Sequence, residues 1–113
     1  MPERQIDLLI LIIISKSQSK KLMGKLNKQH FYFTVIDSSS SMFQEPTVSL
    51  LMGLNHSRLE TLNRLIKKYC QPYRKFIPVQ IHDSRQLSHL PMIESLEGGA
   101  TLYGMSVEHF EQI

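Results

Sequence analysis

The sequence is poor in the groups on which much small-protein chemistry depends. One cysteine, Cys70, stands in 113 residues, so no internal disulfide is available and the fold does not depend on oxidation. That points to a cytoplasmic setting. The apolar run at residues 8–14 has only seven members, far short of the roughly 20 that span a bilayer. It has the length of a signal-peptide core, but no small-residue cleavage site follows, and the next segment, SKSQSKK, reads as a helix start. The expectation is a cytoplasmic chain, retained whole, without membrane association. A Walker loop, a dinucleotide fingerprint and a Ser-His-Asp order are also missing, and neither Asp37 nor Glu97 belongs to a carboxylate pair. Enzymatic activity is therefore not expected, and no cofactor is implied.

What is present suits a globular protein. Apolar residues make up 42% and charged residues 20%, and 113 residues suffice for a single domain, 1–113, around one core. The net charge of +3, from 13 basic and 10 acidic residues, admits an anionic partner without requiring one.

The periodicity changes along the chain. DLLILIIIS (7–15) is continuously apolar, the pattern of a central strand buried on both faces. Residues 16–29 read as a helix: Leu22, Met23 and Leu26 fall on one side, lysines cover the rest, and Ser15 or Ser17 is placed as N-cap. FYFTVID (31–37) is aromatic and β-branched, hence a strand. SSSSMFQEP (38–46) reads as a loop and TVSLLMGL (47–54) as the next strand. SRLE (57–60) has the form of a capping box, with Leu59, Leu62, Ile66 and Tyr69 following at helical spacing and Glu60 one turn before Arg64. Pro72 ends that helix. KFIPVQI (75–81) is strand-like, 82–91 is irregular, and GATLYGMSV (99–107) is a closing strand. No repeat or linker interrupts the order.

Strand, helix, strand, strand, helix and strand again predict an α+β fold. It is the ferredoxin-like βαββαβ split, an antiparallel sheet with both helices on one face. Its other face is uncovered, and the first strand is apolar on both sides. A homo-oligomer is the expected cover.

Candidate chemistry is sparse. Lys16, Lys20, Lys21, Lys25 and Lys28 serve either as a solvated helix surface or as an anion-binding patch. With little aromatic interleaving, they give no reason to expect a nucleic-acid polymer as partner. His82, Asp83 and His89 share one loop without the tight spacing of a metal site. Cys70 reads as a small apolar group at a helix end. Ser38–Ser41 is either a solvated loop or a source of hydroxyls and amides for phosphate, and Gly98–Gly99 is either a plain turn or a ligand contact.

The two ends of the sequence carry a resemblance. The opening LLILIIIS, the central FYFTVIDSSSSMFQEPTVSLLMGL, and a tail in which GGAT precedes an aromatic strand and then Phe110 and Gln112 resemble the PII-like cyclic di-AMP receptor proteins over most of the chain. The resemblance implies a PII-like homotrimer that senses a nucleotide in clefts between subunits. Loops 37–46 and 82–97 would relay the signal to a protein target. It places Thr34, Gly53 and Gln112 at the ligand, with Ser40, Ser41, Met42, Phe43, Thr47, Gly98 and Gly99 as the remaining site residues. The family's loop carries two glycines and a phenylalanine followed by an asparagine, and an arginine two residues before the threonine. This sequence has Ser40, Ser41, Met42, Thr47 and Tyr32 there. Serine disfavours positive φ and crowds backbone amides, Met42 lacks a stacking ring, and Tyr32 lacks a cation. These residues predict weak binding of cyclic di-AMP and leave another adenine nucleotide as ligand. A PII-like scaffold that binds no nucleotide and acts through protein contacts is the alternative.

Overall fold

The structure is a computed structural model that describes residues 5–37, 46–78 and 92–113. Its elements in order are β1 (Leu8–Ser15), α1 (Lys16–Lys28), β2 (Thr34–Asp37), β3 (Thr47–Leu54), a 3-10 turn (His56–Arg58), α2 (Leu59–Tyr69), β4 (Pro72–Pro78), β5 (Met92–Gly98) and β6 (Ala100–Ser106). β2, β3, β1 and β6 form one antiparallel sheet in that order, and β4 and β5 form a separate antiparallel pair. The expected α+β architecture of two helices and an antiparallel sheet is present.

Alternation along the strands decides where the helices sit. Ile10, Ile12 and Ile14 of β1 face one way with Val48, Leu50, Met52 and Leu54 of β3, in register Ile10↔Met52, Ile12↔Leu50 and Ile14↔Val48. Leu22 and Leu26 of α1 and Leu62 and Ile66 of α2 complete the same core, with Cys70 and Phe31 at its edges. Burial of the Cys70 thiol pushes its pKa up, as its place among these side chains requires. On the opposite face, Leu9, Leu11 and Ile13 are half-buried, and Tyr103 and Met105, paired with Leu11 and Leu9, are 57% and 60% exposed.

Four local expectations are corrected. First, β2 begins at Thr34 rather than residue 31, because Phe31 is held back in the core and its N–H caps the end of α1. Second, the start of α2 is not a Ser57–Glu60 box. The Asn55 side chain accepts the Ser57 N–H at 3.0 Å, and the 3-10 turn carries the chain into α2. Glu60 pairs with Arg64 as expected, at 3.3 Å. At α1, Ser15 holds the N-cap position, but no side-chain hydrogen bond caps the helix. Third, β4 starts at Pro72 rather than 75. A proline is tolerated at the first position of a strand, and pairing of Pro72 with Gly98 sets the boundary. Fourth, the stretch 82–97, expected as a loop, contains β5 from Met92 onward. Residues 38–45 and 79–91 lie outside the described residues, and with them Ser40, Ser41, Met42, Phe43, His82, Asp83 and His89.

The β4–β5 pair follows α2, so the fourth place in the main sheet is filled by β6. The hinge between the two sheets is Gly98–Gly99, with φ of +80° and +82°. A Cβ on Gly98 would come within 2.8 Å of the Tyr73 ring and 2.9 Å of the Gln71 carbonyl oxygen. One side chain bridges this junction: Gln18 donates to the Gln71 carbonyl at 2.8 Å and accepts the Gly99 N–H at 3.1 Å. At the other end of the sheet Asp7 plays the same part. Its N–H donates to Leu54 O, its carbonyl accepts from Val107 N–H, and its carboxylate accepts the His56 N–H at 2.8 Å and lies 2.5 Å from His56 Nδ1.

Two experiments test these assignments. Gly98→Ala should destabilise the fold by about 1–3 kcal/mol, since it forces a side chain into left-handed backbone space and against Tyr73. Gly24→Ala, in α1 where nothing lies within 4 Å of the added carbon, should stabilise by about 0.5–1 kcal/mol. Urea unfolding of both variants reads the opposite signs. Second, the His56 hydrogen bond lowers the Asp7 pKa below its ordinary 3.8, partial desolvation opposes it, and the His56 backbone N–H adds to the lowering. The folded value is depressed, so the stabilisation is present above the unfolded pKa and is lost as pH falls through the folded one. The difference in urea midpoint between wild type and Asp7→Asn should therefore narrow below about pH 4.

Candidate functional site

The end of α1 sets the shape of the site. Gln29 closes the helix, and the His30 N–H donates to Asn27 O at 3.1 Å while the Phe31 N–H reaches Leu26 O at 2.9 Å. These are the two bonds of a Schellman ending, with Leu26 and Phe31 supplying its usual hydrophobic contact. The turn needs a left-handed residue, and His30 occupies it at φ +62°. Arg58 steadies this conformation. Its guanidinium donates to Gln29 O at 2.6 Å and His30 O at 3.2 Å and lies 3.9 Å from the centroid of the Phe31 ring. The chain then runs through Tyr32 and Phe33 into Thr34.

The result is an open groove of about 1130 Å³ between this segment, the end of β3 and the tail. Thr34, Gly53 and Gln112 all line it, together with Arg58. Two large hydrophobic side chains offer exposed rings, Tyr32 at 72% and Phe110 at 51%. Gly53 is flush with Ile6: a Cβ there would come within 2.9 Å of Ile6 Cγ2. The glycine thus makes room for a side chain of its own chain at this wall. Glu111, also on the groove, lies 3.0 Å from His109 Nε2. Flat apolar surfaces, a hydroxyl, a primary amide and a guanidinium are groups that take up an aromatic heterocycle carrying an anion.

The other described candidates are elsewhere. Thr47 pairs with Ser15 and Ala100 pairs with Ile14, whereas Gly53 pairs with Leu9. Along β1, Gly53 and Thr47 are therefore six residues apart, about 20 Å at the rise of an extended strand, with Thr34 between them, paired with Leu51 opposite Leu11. Gly98 and Gly99 contact Tyr73 and Pro72 at that far end. The connection that contains Ser40–Phe43 leaves β2 at Asp37, opposite Val48, and returns at Thr47, so both its anchors belong to the far end too. Within one chain the expected site residues thus divide into two groups.

Arg58 and Ile6 are groove residues that sequence reasoning missed. Arg58 sits inside SRLE, where the capping pattern accounts for it. Its partners are 28 and 29 residues earlier, and no local spacing signals such a contact. Ile6 precedes the strand pattern and has no periodic neighbour. Among the described residues no group of three or more His, Cys, Asp or Glu is placed to hold a metal ion. No helix among them is long and apolar enough to cross a membrane.

Comparison with known proteins places this geometry in a family. A family model described as cyclic-di-AMP receptor matches residues 7–113. Among curated proteins none matches the chain. A solved structure of a functionally unknown protein from Pediococcus pentosaceus ATCC 25745 is similar at a TM-score of 0.71 and 18% identity, covering 96% of this chain and 98% of that one. CPII, a nitrogen regulatory PII-like protein from Thiomonas intermedia K12 bound to ADP, AMP and bicarbonate, is similar at a TM-score of 0.50 and 7% identity. That similarity covers 95% of this chain and 96% of the other. The chain belongs to the cyclic-di-AMP receptor family and has the PII-like fold.

Proposed function

We propose that the protein is a non-enzymatic PII-like signalling protein that takes an adenine nucleotide in sites shared between subunits of a homotrimer. The observation that carries this reading is the division of the site residues. Gly53 lies at one end of the sheet beside Gln112, Thr34 part-way along it, and Thr47, Gly98 and Gly99 at the other end, with Thr47 about 20 Å from Gly53. A single nucleotide does not bridge that distance along one chain, but two copies that set opposite ends together bring both groups to one ligand. The half-buried face of Leu9, Leu11 and Ile13, with exposed Tyr103 and Met105 beside it, supplies an apolar surface for the association. Family membership supports cyclic di-AMP as one candidate, and the PII-like CPII, bound to ADP and AMP, supports mononucleotides as others. The connection between β2 and β3 and the stretch between β4 and β5 would relay binding to a protein target.

Light scattering at micromolar concentration should give a trimer. Thermal-shift and calorimetric titration should give binding of at least one of cyclic di-AMP, ATP, ADP and AMP, with cyclic di-AMP weak because of Ser40, Ser41, Met42 and Tyr32. A variant combining Ser40→Gly, Ser41→Gly, Met42→Phe and Tyr32→Arg should bind cyclic di-AMP tighter by about two to four powers of ten, the worth of one charge-assisted contact and one stacked base. Subunit mixing tests the shared site. Gln112→Ala damages the groove end and Ser41→Glu the loop end; each alone should bind poorly, and co-refolded mixtures should recover part of the sites. Mixed trimers that recover nothing refute a shared site. A folded monomer that binds at full strength refutes the assembly as well.

A further inference from the structure

The helical layer carries a charge separation that the groove does not use. α1 and α2 together hold eight basic residues and one acidic residue, while the rest of the chain holds five basic and nine acidic. The single acid, Glu60, is already bonded to Arg64. Three of the lysines converge: the ammonium groups of Lys21, Lys25 and Lys68 lie 5.8, 5.6 and 5.4 Å from the centroid of the Tyr69 ring. Like charges held around one ring repel each other, and the ring's negative face offsets that repulsion only in part. Among the described residues no carboxylate pairs with any of the three lysines. The Tyr69 phenol reports the same field. Its partial burial would raise the pKa, but the charges of Lys25 and Lys68 bring it below the ordinary value.

The chemistry of the surface narrows the partner. Among the described residues, none of the large exposed hydrophobics lies on α1 or α2, so these helices have no apolar face to insert into a bilayer. Tyr69 is the one aromatic residue on them, and ammonium groups surround its ring, which leaves no platform for stacked bases. What remains is a set of mobile point charges beside a hydroxyl donor, suited to several carboxylates at once. We propose that the face around Lys21, Lys25, Lys68 and Tyr69 docks a segment of a partner protein rich in Asp and Glu. The site lies on the helical side of the sheet. Covering the opposite, half-buried face leaves it open.

A fluorescein-labelled peptide of twelve glutamates is the probe, followed by polarisation at low and rising salt. Wild type should bind and lose affinity with salt. Lys21→Glu/Lys25→Glu/Lys68→Glu should bind at least about tenfold more weakly, and Lys16→Glu/Lys28→Glu/Lys67→Glu, with the same total charge change on the same helices, at most about threefold. Tyr69→Phe should keep most of the affinity and Tyr69→Leu should lose it, because only the ring gathers the ammonium groups. Circular dichroism confirms that each variant is folded. Equal losses in the two triple variants would reduce the effect to diffuse net charge and overturn the proposal. So would a wild type that ignores the peptide, or one that prefers duplex DNA or phosphatidylserine vesicles at the same salt.

Discussion

Everything in this fold is arranged around one strand that is apolar on both faces and paired along both edges. β1 hydrogen-bonds to β3 along one edge and to β6 along the other, so its backbone is satisfied only when chain segments from the middle and the end of the sequence are both in place. Its side chains impose a second demand. Ile10, Ile12 and Ile14 are at most 2% exposed and force α1 and α2 onto the same face, while Leu9, Leu11 and Ile13 present apolar surface to the other. An unpaired buried backbone group costs as much as a lost hydrogen bond. Seven consecutive apolar residues are thus compatible with little besides a central strand covered on both sides.

That constraint is why the core was legible in the sequence and the margins were not. DLLILIIIS names its own environment, because no edge strand tolerates that composition. The 3.6-residue spacing of Leu59, Leu62 and Ile66 does the same for α2, and the glycines before ATLYGMS mark the start of β6. β5 carries no such signature. Its sequence, MIESLEG, has two glutamates and a glycine, and its strand conformation comes from pairing with β4. Tertiary pairing here overrides a weak local preference. The entry to α2 failed differently. SRLE fits the capping pattern, but Asn55, two residues before Ser57, competes for the same N–H and takes it.

For the candidate site the sequence offers residues but not their arrangement. Thr34, Gly53 and Gln112 meet in a groove although they are distant in sequence. Thr47 and the glycine pair do not join them, because antiparallel register sends the starts of β3 and β6 to the far side of the sheet. The absence of a cation at Tyr32 is also altered by the fold. Arg58 brings a guanidinium to the groove from another element, though it is engaged with the carbonyls of Gln29 and His30. Its position follows from the helix ending it supports. A left-handed His30 is less favourable than glycine would be, and the groove wall from Tyr32 to Thr34 leaves α1 in the direction this residue sets.

The same economy of contacts keeps the groove and the basic helical face of this small chain from interfering. The groove residues and the half-buried face lie with the sheet and its ends, where antiparallel pairing fixes their spacing. The excess positive charge lies on the two helices, whose inner faces alone are committed to the core. Charges on the helices act within about a Debye length, roughly 8–10 Å at physiological salt, while stacking and hydrogen bonding in the groove act at contact. Substitutions on the outer face of α1 therefore change long-range attraction and leave the groove's geometry alone. Substitutions at Gly98, Gln18 or Asp7 act through the backbone of the sheet and reach both ends of it.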